Sequence, residues 1–123
     1  FNGFEALDSV FVNGKLTLGE NIADLGGLIL AYHAMEKSFE GKEAPAKIDG
    51  FTPQQRFFLG WAQVWHMNMT EEELRNRIIT DPHSPGEYRV RGPLANLSEF
   101  SEAFGCDINS PMVAKDSLRA VIW

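Results

Sequence analysis

The feature that most constrains this chain is a long helical pattern of apolar residues in its first third. Between Thr17 and Phe39, apolar side chains recur at the spacing of one helix face: Ile22, Leu25, Ile29, Tyr32, Met35 and Phe39. Gly41 follows as a stop signal. The pattern therefore predicts one long helix over 17–39.

Two further helices have clear start signals. Thr52, Pro53 and Gln55 predict a capping box with proline at the first helical position. Thr70 and Glu73 predict a second capping box, at the start of a helix that ends near residue 79. The aromatic residues that follow the first cap favour a core-facing surface. They do not favour a platform for nucleic acid bases, because basic residues are not interleaved with them.

The rest of the chain predicts turns, loops and one short helix. Asn13-Gly14 is a turn signal that favours a short hairpin or an irregular lead-in before the first helix. The proline- and glycine-rich segment 81–89 predicts a loop. A short helix is predicted over 97–104, with Asn96 or Ser98 as its cap and the next glycine as its stop. The predicted fold class is mainly α, with long loops and at most a small β element.

Charge and cysteine content narrow the classes of function. The formal net charge of −6 argues against a nucleic acid partner, because phosphate binding needs a basic surface. The single cysteine, Cys106, excludes a disulfide within the chain and a cysteine-rich metal site. No apolar run approaches the ~18 residues that a membrane-spanning helix needs. The compartment is left open between bacterial periplasm, cell surface and cytoplasm.

Two acidic residues on the long helix are the first candidates for chemistry. Glu20 and Asp24 lie one turn apart on one face, where like charges repel by roughly 0.2–0.5 kcal/mol even when exposed. Burial would make the pair costly without a compensating cation, such as a metal ion. Glu20 could bind the metal, and Asp24 could accept a hydrogen bond from a metal-bound histidine. Two ordinary acids near a helix N-terminus are the alternative.

The segment 81–89 carries two further candidates. His83 stands between two prolines, so it cannot lie in a helix interior, and it could donate a hydrogen bond to an oxyanion. Arg89 could bind a carbonyl or carboxylate with its planar fork. A proline-rich turn with an incidental histidine is the alternative. His33 and His66 are predicted to be structural.

Several segments in register resemble the neprilysin family of zinc metallopeptidases. They are Glu20-Asn-Ile-Ala-Asp-Leu-Gly-Gly27, Ala62-Gln-Val-Trp65, Asp81-Pro-His-Ser-Pro-Gly-Glu-Tyr-Arg89, Ser98-Glu-Phe-Ser-Glu-Ala-Phe104 and the final Trp123. Their order and spacing match the family over essentially the whole chain. The resemblance implies that residues 1–123 are the C-terminal portion of a thermolysin-like (gluzincin) catalytic domain.

The resemblance also implies a role for each candidate residue. Glu20 is similar to the third zinc ligand, and Asp24 to the carboxylate that orients a zinc-bound histidine. His83 is similar to the histidine that stabilises the tetrahedral transition state. Arg89 is similar to the arginine that binds a substrate backbone carbonyl. The implied cofactor is one zinc ion, and the implied reaction is hydrolysis of peptide substrates by zinc-activated water.

The sequence departs from the family pattern in two respects. It contains no H-E-x-x-H, which supplies the other two zinc ligands and the general base and lies upstream in the family. We therefore expect the chain to need the upstream part of the same protein as a partner, and to be inactive alone. In addition, no cysteine stands just before Trp123, and Cys106 has no disulfide partner such as animal members provide. This second departure predicts a bacterial member.

Two other functions are compatible with the sequence. One is a catalytically inactive relative, a binding or scaffold protein that retains this half of the fold. The other is a helical metal protein that uses Glu20 and Asp24 in a self-assembled dimer. The several motifs in register favour the peptidase over both.

Overall fold

Within residues 1–122, which a computed structural model describes, the chain is mainly helical. Its elements are β1 (Glu5–Leu7), β2 (Val10–Phe11), α1 (Leu18–Phe39), α2 (Pro53–Val64), α3 (Glu71–Thr80), α4 (Gly86–Asn96) and α5 (Ser98–Phe104), with a single 3-10 turn at Asp116–Leu118. The predicted fold class is confirmed. No helix in this described part could cross a bilayer. The likeness of Trp123 to a family tryptophan lies outside the described residues.

The helix starts follow the capping signals in the sequence. The Thr52 hydroxyl accepts a hydrogen bond from the Gln55 amide, and the Gln55 side chain accepts one from the Thr52 amide, which is the predicted capping box. At α3, Thr70 caps the Glu73 amide as predicted. The predicted second half of that box is wrong, because the Glu73 carboxylate instead accepts a hydrogen bond from Arg77 Nε at 2.9 Å.

The helix α4 differs from the sequence prediction of a loop over 81–89. It begins inside this segment, at Gly86, and continues through Pro93. Pro93 has no N–H group, so the carbonyl of Arg89, one turn earlier, lacks its helical donor. The indole Nε1–H of Trp61 in α2 donates to this carbonyl at 3.0 Å. A tertiary hydrogen bond thus replaces the missing helical one.

The β-hairpin forms earlier in the chain than predicted. The strands pair antiparallel, with Glu5 opposite Phe11, and the chain reverses at Asp8 and Ser9. Ser9 has a φ of 59°, and its amide donates to the Glu5 carboxylate at 2.8 Å. Asn13-Gly14 lies in the turn that leads into α1. Its turn signal was correct, and of the two alternatives the irregular lead-in, not the hairpin, forms at this position.

The cap of α5 also differs from the prediction. Leu97 precedes the first residue of α5, rather than Asn96 or Ser98. Asn96 is instead the last residue of α4, and its side chain donates to the Gly92 carbonyl at 2.8 Å. Gly105 ends α5 with a φ of 62°, which confirms the predicted glycine stop.

The core lies where α1, α2, α4 and α5 meet. Its buried apolar residues are Leu25, Leu28, Phe58, Leu94 and Leu97. The Phe58 ring stacks on Tyr32, with centroids 5.3 Å apart, and meets Phe100 edge-on at 5.5 Å. The aromatic face of α2 therefore belongs to the core, as predicted. This packing fixes α1 against α4, the helices that carry Glu20, Asp24 and Arg89.

Candidate metal and substrate site

The four candidate residues form two contacting pairs. Glu20 and Asp24 lie one turn apart on α1, and each contacts a residue of the segment 81–89. His83 Nε2 lies 3.2 Å from Glu20 Oε2. Arg89 binds Asp24 through two hydrogen bonds, one of them from Nη2 to Oδ1 at 2.6 Å. The fold thus brings together side chains that are about 60 residues apart in sequence.

The ring of His83 is held from its other side by Asp81. The Nδ1 atom of His83 lies 2.8 Å from Asp81 Oδ1, and the same oxygen accepts the backbone amide of His83 at 2.9 Å. The amide hydrogen bond lowers the pKa of the Asp81 carboxyl below its ordinary value. Partial burial opposes this shift, and the ring of His83 and the charge of Arg77 add to it. Asp81 therefore fixes the ring so that Nε2 is directed to Glu20.

The two pairs differ in exposure. The Glu20 and His83 side chains are 41% and 43% exposed, so a ligand can reach them. The Asp24 and Arg89 side chains are only 7% and 13% exposed. The sequence predicted that a metal ion could offset the two acids if both were buried. Only Asp24 is buried, and the cation that compensates it is the guanidinium of Arg89.

The Asp24–Arg89 pair leaves donors of the guanidinium free. Nε–H donates to Asp24 Oδ2 at 2.7 Å, and Nη2–H donates to Asp24 Oδ1 at 2.6 Å. A guanidinium carries five N–H donors, so three are not used by this pair. The geometry holds Arg89 rigidly while it retains donors for a further acceptor.

Two tryptophans, Trp61 and Trp65, contact Arg89. Its guanidinium carbon lies 3.8 Å from the centroid of the Trp65 ring, a cation–π contact. Trp61 binds the Arg89 carbonyl, as described above.

A Cβ added to Gly86 would lie 2.6 Å from the Trp65 carbonyl oxygen, so only glycine permits α4 to start this close to the end of α2. A cavity of about 220 Å³ opens here, lined in part by Trp65, His83 and Arg89.

The described residues contain a donor group that could bind a metal ion. Carboxylate oxygen is a donor type that zinc accepts, and Glu20 presents one on a side chain that is 41% exposed. Within residues 1–122, no group of three or more His, Cys, Asp and Glu side chains could hold a metal ion. His33 lies about 20 Å from Glu20 along α1, by the rise of the helix, and faces Glu99 at 3.6 Å. A complete zinc site that includes Glu20 would therefore need ligands from outside residues 1–122.

Three residues of the site were not identified from the sequence. Asp81 forms an Asx-type turn with His83, and the Asp-x-His spacing is a local signal that could have revealed it. Asn21 and Ser84 form a buried hydrogen bond beside Glu20 and His83. These two residues are 63 positions apart, so no local pattern could pair them.

The sequence profile of peptidase family M13 matches residues 1–120 of this chain. Endothelin-converting enzyme 1 of Rattus norvegicus is 52% identical over 103 residues, which are 82% of this chain and 14% of the relative. An endothelin-converting enzyme homolog of Locusta migratoria is 47% identical over 108 residues, which are 86% of this chain and 15% of the relative. The chain thus spans 14–15% of the length of these curated relatives.

Solved structures agree with the sequence relatives. The zinc metalloprotease Zmp1 of Mycobacterium tuberculosis, in complex with an inhibitor, superposes with a TM-score of 0.92 at 38% identity, over 100% of this chain and 20% of that one. A Haemonchus galactose-containing glycoprotein complex superposes with a TM-score of 0.79 at 34% identity, over 89% of this chain and 19% of that one. Profile, relatives and fold therefore confirm the resemblance of the motifs: the chain belongs to peptidase family M13, the neprilysin family.

Proposed function

We propose that the protein carrying this chain is a zinc metalloendopeptidase that hydrolyses peptides, and that residues 1–123 form the C-terminal portion of its catalytic domain. Membership of peptidase family M13 and the fold match to a zinc metalloprotease support the proposal. The observation that carries it is the approach of His83 Nε2 to the Glu20 carboxylate at 3.2 Å, on an exposed surface. A zinc ligand and an oxyanion donor must lie close together, because both act on the same scissile carbonyl.

Glu20 is the zinc ligand in this proposal. Its carboxylate is exposed and lies on the rigid helix α1, so it can be presented to a metal at low conformational cost. The remaining ligands and the general base come from the rest of the protein. When bound, zinc lowers the pKa of a water molecule toward ~7 and polarises a carbonyl.

His83 stabilises the oxygen that gains charge during hydrolysis. A preorganised donor is effective because it needs no reorganisation when the charge develops. Asp81 supplies the preorganisation, since it binds both the ring and the backbone amide of His83. The proximity to Glu20 sets the ring beside the metal ligand and so beside the scissile carbonyl.

Arg89 holds a backbone carbonyl of the peptide with the donors that Asp24 leaves free. Asp24 neutralises the guanidinium and fixes its plane. We also propose that Asp24 orients a zinc-bound histidine, because a carboxylate has about four acceptor positions and Arg89 occupies two. The partner of this chain is the rest of the same protein, and a bacterial origin stays a prediction.

The proposal is tested in the full-length protein by zinc content and peptide hydrolysis. We expect Glu20→Gln to lose both, and His83→Ala to lower kcat more than it weakens ground-state substrate binding. His33→Ala is the matched control, because this exposed histidine lies about 20 Å away along the same helix. Full zinc content and activity in Glu20→Gln would refute the assignment. Tight peptide binding without turnover in the wild type would instead support the inactive binding protein.

A further inference from the structure

A buried hydrogen bond ties the segment of His83 to the helix of Glu20. Ser84 Oγ donates to Asn21 Oδ1 at 2.7 Å, and the two residues are 4% and 7% exposed. Asn21 directly follows Glu20, and Ser84 directly follows His83. We propose that Asn21 and Ser84 are positioning residues that set the distance between His83 and Glu20. This inference rests on the proposed function for its effect on catalysis.

The Asn21 amide is fixed from its other end. Its Nδ2–H donates to Thr17 Oγ1 at 2.9 Å, and the Thr17 hydroxyl donates to the Asn13 carbonyl at 3.1 Å. Thr17 is 3% exposed, so the series of hydrogen bonds is buried as far as the turn before α1. Because Nδ2 is engaged by Thr17, Oδ1 must face Ser84. A buried polar network with every member paired specifies one arrangement.

The position of His83 depends on a contact that holds its segment against α1. His83 lies in the connection between α3 and α4, between Pro82 and Pro85, and no helix holds it. Asp81 orients the ring, but Asp81 belongs to the same connection and does not join it to α1. The contact of His83 with Glu20 joins two side chains that are each more than 40% exposed, and exposed ion pairs contribute little. The Ser84–Asn21 bond is the buried link beside that contact.

Removal of the Ser84 hydroxyl leaves the Asn21 oxygen buried without its donor. The connection can then move relative to α1, whereas Glu20 stays fixed by its own helix. Misplacement of a catalytic group by ~1 Å can cost about 100-fold in rate. In the full-length enzyme we therefore expect Ser84→Ala to lower kcat by about 10- to 100-fold, with KM and zinc content close to those of the wild type.

Two variants accompany this measurement. Ser84→Thr keeps the hydroxyl and is expected to recover most of kcat, which a role in packing alone would not predict. Ser101→Ala is the matched control, because its hydroxyl also donates to a partner in the protein, the Ser98 carbonyl at 2.8 Å, but lies on α5. If Ser84→Ala does not fold, Thr17→Val replaces it, since it removes the next member of the network.

A second measurement needs no turnover. In zinc-free, full-length protein labelled with 15N-histidine, the ring signals of His83 are assigned by their loss in His83→Ala. We expect Ser84→Ala to shift or broaden them and Ser101→Ala to leave them unchanged. Unchanged His83 signals overturn the inference, whatever happens to kcat, and so does a wild-type kcat in Ser84→Ala. A wild-type protein without zinc-dependent hydrolysis defeats the proposed function, while the His83 signals still decide the positioning role.

Discussion

At the scale of single residues, the surroundings of Asp81 favour its ionised form and lower its pKa. Its Oδ1 atom accepts the backbone amide of His83 at 2.9 Å and lies 2.8 Å from the ring nitrogen Nδ1. Both contacts favour the ionised carboxylate, and the first lowers the pKa of Asp81 most. The same interactions that hold the ring therefore make the stability of the fold dependent on pH.

The sign of this dependence follows from the direction of the pKa shift. The folded pKa of Asp81 lies below the unfolded value of about 3.9, so the carboxylate stabilises the fold above that value. This contribution is lost as the pH falls through the folded pKa. We expect Asp81→Asn to lower the unfolding midpoint at pH 6, and we expect the difference from wild type to shrink below about pH 4. Thermal unfolding across pH 3–7 tests this, and an equal difference at both ends would contradict it.

At the scale of elements, the proline within α4 and the tryptophan of α2 act together. Pro93 removes a backbone donor, and the Trp61 indole replaces it at the Arg89 carbonyl. We expect Trp61→Phe to destabilise the protein by about 1–3 kcal/mol, because a partly buried acceptor loses its partner. In a Pro93→Ala background, the N–H of residue 93 returns to the helix. The cost of Trp61→Phe should then be smaller.

This coupling is measured by a double-mutant cycle on the free energy of unfolding. Trp65→Phe is the control, because the Trp65 indole Nε1 is buried and has no hydrogen-bond partner within residues 1–122. Its substitution should show no coupling to Pro93→Ala. Equal costs of Trp61→Phe in both backgrounds would mean that the indole does not stand in for the missing amide.

The helices show which features the sequence could predict and which it could not. Local signals, such as the Thr52 cap and the Gly105 stop, identified four of the helices, because caps and stops act within a few residues. The helix α4 was missed because its start is rich in proline and glycine, and because Trp61, on another helix, supplies the donor for the Arg89 carbonyl. Likewise, Asp24 was expected to need a cation, but the identity of that cation depends on a contact across 65 residues.

At the scale of the whole molecule, several apolar side chains of α1 remain exposed. Leu18, Ile22 and Leu30 are 56%, 48% and 60% exposed. Val64, at the end of α2, is 67% exposed and lines an open groove between the two helices. The curated relatives are about six times as long as this chain, since the 103 residues aligned with one of them are 14% of its length. We expect the remainder of the protein to cover these surfaces and to complete the zinc site.

If the remainder of the protein completes the zinc site, the 123-residue chain should bind zinc only weakly by itself. Glu20 is the one zinc ligand that we assign within residues 1–122, and no group of three or more His, Cys, Asp and Glu side chains there could hold the ion. Loss of even one outer partner of a ligand costs about 10- to 100-fold in metal affinity. We therefore expect the chain alone to bind zinc at least ~100-fold more weakly than the full-length protein and to hydrolyse no peptide.

Calorimetric titration with zinc, together with size-exclusion chromatography, distinguishes this from the alternatives. Weak binding that disappears in Glu20→Ala, by a chain whose elution does not change with zinc, is the expected result. Tight binding with one zinc per chain that survives Glu20→Ala would contradict the assignment of Glu20. Tight binding that depends on both Glu20 and Asp24 and produces a dimer would support the self-assembled metal protein. That outcome is disfavoured because Asp24 is 7% exposed and both its oxygens bind Arg89, so a metal would first have to displace a buried guanidinium.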